Sequence, residues 1–412
     1  MLDRLEKWLL FLVVLFLPTQ LGKHFWPNFS YIYSLKIDYL SPTLYFWDLL
    51  VPALLVVWIT KKPKVNTLAL NLFLFFLFTQ ALSLIGASNI GAGIVRLEQY
   101  LIAGSLGIFL ASQDFKSLSK RIFLPLILGI LGESLLAILQ FIKGSTLGLW
   151  VLGERSFSLS TPGIAKFDFY GSQFLRPYAT FPHPNVLAGF ILVGICIMYQ
   201  VLRVKFAGVV SIIGGIAVFL TMSRVAILAG IISALVLLKN KRLIFLMAAI
   251  ILVSPILFTR FSSLLNFDNL TLLRREEMVG SSWQIFLQSP FFGIGLNNFI
   301  PAVASSLLTG PSRFLQPVHN IFLLALSETG IIGLLGLMCL IGMPVLSSLR
   351  KQGSINNSAD WIRHWRMTVL RLTLLTWFLI IFLGLFDHYF LTLPQGYRLL
   401  FLVWGLSFSM LK

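Results

Sequence analysis

The sequence predicts an all-α fold, a polytopic membrane bundle of about twelve transmembrane helices. Of the 412 residues, 57% are hydrophobic and 11% are charged, and the mean hydropathy is +0.88. A soluble domain has about 25% charged residues, so these charges are too few to cover a water-exposed surface. Apolar runs also recur along the whole chain, and most approach the length of about 20 residues that a spanning helix needs.

Each apolar run predicts one transmembrane helix. The N-terminal run is as short as a signal peptide, but it has no small-x-small cleavage site and carries Asp3 and Glu6, so it is interpreted as the first helix. Two runs meet at Met222 almost without a loop, and one long helix there would invert every later segment. The predicted spans are 8–22, 44–60, 66–86, 93–112, 121–142, 184–202, 206–222, 224–238, 243–258, 320–347, 367–386 and 397–411.

The net charge of +17 has its explanation in the loops. In a soluble protein such a charge suggests a nucleic-acid partner. Here the basic residues lie in short clusters between apolar runs, which is the pattern of cytoplasmic loops. We therefore expect no nucleic acid, contact with membrane lipids, and both termini in the cytoplasm. The clusters are Lys61, Lys62 and Lys64; Lys116, Lys120 and Arg121; Lys239, Lys241 and Arg242; and Arg350, Lys351, Arg363, Arg366 and Arg371.

The chain is predicted to be one integral membrane domain, 1–412, with two long external loops. The first covers 143–182 and the second 259–318, and these loops have the Gly, Pro, Ser and Arg content that polar chemistry needs. Cys196 and Cys339 fall inside predicted spans, with no disulfide or zinc spacing. No metal site is expected.

The first motif, RPYATFPHPNVLAGF, closes the first long loop and opens a span. Two prolines and Asn185 shape a rigid turn with His183 between the prolines, and Arg176 stands near the external face. The alternative is an ordinary helix start with Asn185 as its cap.

Two further motifs place arginines at the membrane boundary. In TMSRVAILAG, Arg224 has no acidic neighbour in sequence, so it either extends to the membrane surface or meets an anion. In LLRREEMVGSSWQIFLQSPFFGIGLNNF, Arg274 and Arg275 begin a helix predicted to lie on the membrane surface. The alternative there is that the two glutamates that follow simply neutralise the arginines.

The fourth motif, QPVHNIFLLALSETGIIGLLG, puts an imidazole and a carboxylate into an apolar segment. His319 is predicted at the outer boundary, with Asn320 in the first helical turn. Glu328 lies about 13 Å deeper. It is interpreted either as a hydrogen-bonded carboxyl between helices or as a group that orients a catalytic residue. Packing alone is the alternative for His319. Three glycines form a ridge for a neighbouring helix: Gly330, Gly333 and Gly336.

These motifs gather cations on the external side. Arginine stays charged and binds phosphate oxygens in pairs, so the set suits a phosphate-rich ligand such as a lipid carrier. Asp387 and His388 stand at a short external turn, where they either line the same cavity or cap helices.

In this order and spacing, the four motifs resemble the O-antigen ligase family, also called the O-antigen ligase/polymerase superfamily. The resemblance covers 176–336 closely, and that range is the ligase-like core region. Ala179 stands where the family often has glycine. The resemblance implies a GT-C-like fold of twelve helices with a large external loop before the His-Asn motif. It also implies a place in the cytoplasmic (inner) membrane with the active site facing outside.

The resemblance further implies a metal-independent glycosyltransferase that needs no cofactor or nucleotide sugar. The donor is a glycan on undecaprenyl diphosphate, and the acceptor is a glycan, a lipid or a protein. By this likeness Arg224, Arg274 or Arg275, and His319 are catalytic. Arg176 binds substrate, and His183, Asn185, Asn320 and Glu328 are grouped with it.

Two alternatives stay open at this point. The same chemistry serves chain polymerisation by a polysaccharide polymerase, and a transporter of a lipid-linked glycan would need no base. The large external loop favours an enzyme, because carriers keep their sites near the membrane midplane.

Overall fold

The structure is a computed structural model that describes residues 1–201, 206–237, 241–262, 270–304, 315–353 and 360–410. Within these ranges the chain is mainly helical. The helices are α1 (Leu2–Leu15), α2 (Phe46–Ile59), α3 (Thr67–Leu82), α4 (Ile90–Ser112), α5 (Phe115–Lys143), α6 (Pro184–Val201), α7 (Phe206–Leu220), α8 (Arg224–Leu237), α9 (Lys241–Ser262), α10 (Leu270–Gln288), α11 (Phe299–Val303), α12 (Ile321–Gly353), α13 (Asp360–Gly384), α14 (Tyr389–Thr392) and α15 (Pro394–Met410).

The predicted all-α class is confirmed, and three small two-stranded antiparallel sheets accompany the helices. They form where the backbone leaves the helices and must pair its N–H and C=O groups in another way. The pairs are β1 (Gly22–His24) with β4 (Thr43–Tyr45), β2 (Tyr31–Ile32) with β3 (Leu35–Lys36), and β5 (Lys166–Phe169) with β6 (Ser172–Leu175).

Every predicted span overlaps a helix, but some helix boundaries differ from those predicted, and the number of membrane crossings is not confirmed. The first helix occupies 2–15 rather than 8–22, because Pro18 cannot continue a helix and restricts the residue before it. Four helices of the described residues are long and apolar enough to cross a membrane, and six shorter helices are apolar. The expected twelve crossings and the GT-C-like arrangement therefore stay predictions.

One end of the bundle, here called the terminal end, holds both ends of the described chain. Lys61 pairs with Asp3 and Glu6 near the N-terminus, and Arg121 pairs with Glu6 at 3.0 Å. Near the C-terminus, the hydroxyl of Ser409 donates to the carbonyl of Gln113, which ends α4. The opposite end, here called the site end, carries the four motifs. The basic clusters around Lys239 and Arg363 lie outside the described side chains.

The core of the bundle is α15, the last helix. Its residues from 394 to 409 are buried, a distribution opposite to that of a helix with one lipid-facing side. It packs most closely on α4, where an added Cβ at Gly405 would collide with the backbone of Gly107. Inside this core Arg398 pairs with Asp48 at 3.3 Å and lies over the ring of Trp47 at 4.5 Å.

Helix α12 is broken at Gly330, which has φ 63° and ψ −169°. The groups freed by the break bond to the segment after α10: Ile331 N donates to Pro290 O at 2.9 Å, and Gly295 N donates to Glu328 O at 2.8 Å. A Cβ at Gly330 would collide with the carbonyl of Phe291. The glycine is needed here for its positive φ and for this close approach.

The predicted glycine ridge is confirmed for the other two glycines. An added Cβ at Gly336 would collide with the hydroxyl of Thr79 on α3. The Gln80 amide, next along α3, donates to the carbonyl of Gly333 at 3.1 Å. Small residues thus bring α3 close to the inner half of α12.

The helix that the sequence predicts at the membrane surface is α10. It buries Met278, Ser282 and Ile285 and exposes Trp283 and Leu287 on another face. The Ser282 hydroxyl donates to the carbonyl of Leu323 at 3.0 Å, which joins α10 to the start of α12. Residues 263–269 and 305–314 of the second long loop lie outside the described residues.

Candidate active site

The first motif begins with a non-helical segment, residues 176–183, here called the strap. Two polar residues of α5 hold the strap in place. The Oε1 atom of Gln140 accepts from the backbone N–H of Tyr178 and of Ala179, at 3.0 and 2.7 Å. Glu133, two turns away on the same helix, accepts from the N–H and the hydroxyl of Thr180. Ala179 has φ 50°, a conformation that glycine adopts without strain. This explains why a glycine suits that position.

Arg176 ties the strap to the turn between α7 and α8. Its Nε donates to the carbonyl of Thr221 at 2.6 Å, and its Nη2 donates to the Oδ1 of Asn185 at 2.9 Å. The side chain is buried. These bonds give Arg176 a positioning role in the described structure, whereas its binding of substrate stays a prediction.

The chain does break between α7 and α8, as the two predicted spans require. Met222 has φ 49°, and α8 begins at Arg224. The Nε of Arg224 donates to the carbonyl of Arg260 at 3.0 Å, and the Nε of Arg260 donates to the carbonyl of Met222 at 2.9 Å. Two guanidinium groups therefore lie together at the site end, one of which the sequence motifs did not single out.

The structure distinguishes between Arg274 and Arg275, the two arginines of α10. Arg275 is the one whose positive charge acts on the imidazoles of His183, His319 and His388, and it lowers the pKa of each. This electrostatic effect favours Arg275 as the site arginine, a choice that the sequence left open.

His319 belongs to a cluster with the turn between α13 and α14. The ligand atoms of His319, Asp387 and His388 all lie within 4.8 Å of one another, and the two imidazole rings meet edge to face at 5.1 Å. Asp387 accepts from the His388 N–H at 2.9 Å and from the Asn185 amide at 3.1 Å. Asn185 in this way joins the strap to the cluster.

The cluster favours neutral imidazoles beside an ionised carboxylate. Burial lowers the pKa of His319, with Asp387 acting in the opposite direction. Burial likewise lowers the pKa of His388 to about 4 and that of His183 to about 3. Burial opposes ionisation of Asp387, but the imidazoles and the Asn185 amide outweigh it and lower its pKa. A neutral imidazole next to a carboxylate is able to take up a proton.

Tyr39 and Thr392 complete the surroundings of His388, and no sequence pattern pointed to either residue. The Nδ1 of His388 is 2.6 Å from the hydroxyl of Thr392, and its ring meets that of Tyr39 at 5.7 Å. Arg96 donates to the carbonyl of Thr392 at 2.7 Å. The Asp387–His388 pair itself was visible in the sequence, but its contact with His319 was not.

His183 lies at the edge of the cluster, and its Nδ1 faces the backbone of Asn185. That atom accepts from the N–H of Asn185 at 3.2 Å, which leaves a ring proton for Nε2. The ring also faces that of Tyr178, at 6.2 Å. Arg155 reaches the same strap from the first long loop and donates to the carbonyl of Pro182 at 2.7 Å.

Asn320 caps α12 rather than lying in its first turn. Its Oδ1 accepts from the N–H groups of Phe322 and Leu323, at 2.8 and 3.0 Å, and its amide donates to the carbonyl of Leu385 at 3.1 Å. Such a cap satisfies N–H groups that the helix leaves unpaired. The role of Asn320 that the structure displays is to fix the residue before it, His319, against the end of α13.

Glu328 lies away from the cluster. Its Oε1 accepts from the N–H of Phe299 at 3.1 Å, and it stands beside the break at Gly330. Of the two interpretations offered for it, the hydrogen-bonded carboxyl between segments matches these contacts. A further pair, Asn297 and Asn298, joins the same segment to the start of α4.

Comparison with known proteins adds one family. The family model described as O-antigen ligase matches residues 209–338, from α7 into α12. The matched range holds Arg224, Arg275 and His319, whereas Arg176 and Asp387 lie outside it. No curated protein matches the chain.

Proposed function

We propose a function from the premise that residues 209–338 of this chain belong to the O-antigen ligase family, whose members are membrane glycosyltransferases. The protein transfers a glycan from undecaprenyl diphosphate to a hydroxyl group of an acceptor at the external face of the membrane. One observation carries the proposal. Arg224, Arg275 and His319 come from separate segments of the chain, yet they converge on one end of the bundle.

The arginines serve the donor. As the bond between the anomeric carbon and the phosphate oxygen breaks, the electron pair stays on the diphosphate. Arg224 and Arg275, held at the membrane boundary, stabilise that growing negative charge, which is electrostatic stabilisation of a transition state. Arg260, beside Arg224, adds a third cation to this group.

His319 serves the acceptor. Its neutral imidazole takes the proton of the acceptor hydroxyl while that oxygen forms the new bond to the anomeric carbon. Asp387, whose carboxylate lies within 4.8 Å, then faces a positive imidazolium and stabilises it. Asn185 and His388 hold that carboxylate by donating to its two oxygens.

The charges at the terminal end support an external position of the site. Lys61 and Arg121 gather there beside the N-terminus, and basic loops of this kind remain in the cytoplasm. The site end is then extracytoplasmic. The expectation is testable with His319→Cys in intact cells, where a membrane-impermeant thiol reagent should label it from outside.

The deciding experiment is transfer by purified protein in proteoliposomes, with a glycan on undecaprenyl diphosphate and a hydroxyl acceptor. His319→Ala and Arg224→Ala should abolish transfer, while Arg4→Gln, a matched change at the terminal end, should leave it unchanged. Full transfer by both site variants would remove the proposed mechanism. A single added glycan identifies a ligase, and a ladder of repeat units identifies a polymerase. Transport of the lipid-linked glycan that survives His319→Ala without any transfer identifies a carrier.

A further inference from the structure

The first long loop contains a pocket that the proposed reaction does not use. It is a shallow depression of about 600 Å³, within the size range of small-ligand sites. Its lining is polar and basic, with a single large apolar side chain, Leu159. The residues are Lys143, Gly144, Ser145, Ser158, Leu159, Ser160, Lys166 and Gln173.

The pocket is held in shape by the segments around it. The aromatic face of the β5–β6 hairpin, Phe167 and Phe174, stacks on Phe141 of α5, with ring centroids of Phe167 and Phe174 5.3 Å apart. Because side chains alternate along a strand, Lys166 and Gln173 point to the opposite face. Burial of the aromatic face thus presents the polar face to the pocket.

The loop that follows α5 forms the other wall of the pocket, and hydrogen bonds hold it in place. Glu154 accepts from the N–H groups of Leu147 and Leu149 and from the amide of Gln140. Ser145 and Ser158 face each other in a bridge between the two arms of this loop. Phe157, next to Ser158, packs against Tyr178 with tilted rings whose centroids are 4.7 Å apart, and the ring of Tyr178 meets that of His183 edge to face. One layer of side chains therefore separates the pocket from the strap of the candidate active site.

Among the described residues, neither Lys143 nor Lys166 lies within ion-pair distance of a carboxylate. Asp168 shares the face of the hairpin with Lys166, but its Oδ1 accepts from the backbone N–H of Gly171. The ammonium of Lys143 donates to the carbonyl of Thr146 at 2.9 Å, which leaves two of its three N–H groups for a ligand. Serine hydroxyls, an amide and two ammonium groups together suit a ligand rich in hydroxyls that also carries negative charge.

We propose that this pocket binds an acidic saccharide, one whose sugars carry a carboxylate or a phosphate. The inference rests on the proposed function, since a glycosyltransferase binds a sugar-bearing donor, and in some cases a sugar-bearing acceptor, at this end. Such an acidic saccharide could belong either to the donor glycan or to the acceptor glycan. The ammonium groups hold the acidic group, and the serines and Gln173 hydrogen-bond the sugar hydroxyls.

Binding is tested on the protein in lipid nanodiscs with tetragalacturonate, and with the neutral maltotetraose for comparison. Tetragalacturonate should bind the wild type more weakly as salt is raised, because salt screens exposed charges. Lys143→Gln/Lys166→Gln should raise its Kd about tenfold, and Lys166→Glu more, as loss of two charge-assisted bonds implies. Lys23→Gln/Lys36→Gln removes the same charge from another exposed loop of this end and should change nothing. The proposal would be overturned if the wild type and Lys143→Gln/Lys166→Gln bound tetragalacturonate equally. It would also be overturned if the wild type bound tetragalacturonate and maltotetraose equally.

Transfer kinetics distinguish the two sources. If the donor glycan occupies the pocket, Lys143→Gln/Lys166→Gln raises KM for the donor alone; if the acceptor does, it raises KM for the acceptor alone. Unchanged KM for both acidic substrates would count against the pocket, while transfer that still depends on His319 would keep the proposed function. Absence of any transfer, together with lysine-dependent binding of tetragalacturonate, would keep the pocket and remove the function.

Discussion

The imidazoles of His319 and His388 meet edge to face with their ring centroids 5.1 Å apart, although one precedes α12 and the other follows α13. The contact places Asp387 beside His319, since Asp387 is held by the backbone N–H of His388. The start of α12, the strap and the α13–α14 turn therefore meet at this cluster.

Asp387→Asn should reduce transfer about a hundredfold or more, because an amide does not stabilise the imidazolium that forms on His319. The variant should remain in the membrane with a slightly lower melting temperature, since the amide oxygen still accepts from the His388 N–H but its NH2 group cannot accept from Asn185. Asp38→Asn, an exposed carboxylate of the same end, is the control. Full turnover by Asp387→Asn would show that the carboxylate has no part in the reaction.

Acid should destabilise the protein below pH 6.5. Burial lowers the folded-state pKa of His183, His319 and His388, so below the ordinary histidine value the unfolded chain binds more protons. Each of these imidazoles then costs about 1.4 kcal/mol per pH unit until its folded pKa is reached. The pKa of Asp387 is also lowered, so its own stabilising contribution is lost only below about 3.8. Thermal unfolding in detergent from pH 7.5 to 4.5 measures the slope, and His388→Asn should make it shallower. A melting temperature that is flat over this range would contradict the neutral cluster.

Arg275→Ala should lower kcat by about 10²-fold, the usual cost of removing one donor to developing charge. Arg274→Ala, its neighbour, should retain transfer close to that of the wild type, because Arg275 is the arginine whose charge lowers the pKa of the imidazoles of the site. Arg275→Lys should recover part of the rate at most, since an ammonium does not bind two phosphate oxygens in parallel. The reverse ranking of the two alanine variants would assign the site to Arg274.

Gly330→Ala should destabilise the fold by about 2–4 kcal/mol, because it adds strain at a positive φ and a collision with the Phe291 carbonyl. Gly342→Ala in the same helix is the matched change, since its Cβ would have nothing within 4 Å. Melting temperatures and yields in detergent report both. Equal stability of the two variants would mean that the break tolerates a side chain.

Transfer should not change when divalent cations are removed with EDTA. His319, Asp387 and His388 are close enough for a cation, but both oxygens of Asp387 already accept hydrogen bonds and the Nδ1 of His388 contacts Thr392. Loss of activity in EDTA that Mg²⁺ or Zn²⁺ restores would instead assign the cluster to a metal.

Much of the fold was predictable because a membrane imposes a simple pattern. Apolar runs locate the helices, and basic clusters indicate a common side, which the contacts of Lys61 and Arg121 with Glu6 support. The bounds predicted for α1 were wrong because the span of 8–22 continues past Pro18, whereas the helix ends at Leu15. The small sheets were missed because strands of two to four residues leave no periodic signal.

The site was predictable in its motifs and not in its contacts. His319 and the arginines stand out because ionisable groups in apolar surroundings are rare. The choice between Arg274 and Arg275 depends on the rotation of α10, which adjacent positions in a sequence do not specify. Asn320 and Arg176 were assigned to substrate, whereas their described bonds are a helix cap and a strap, because a motif gives residue types and not the direction of a side chain.

The burial of α15 has a consequence for biosynthesis. Because α15 follows the other described helices in the chain, those helices enter the membrane before the buried helix on which they pack. Arg398 reaches its partner Asp48 at that late moment, long after α2 has been inserted. A nascent chain stalled before Pro394 therefore lacks this core, and it should be a substrate for membrane quality-control proteases.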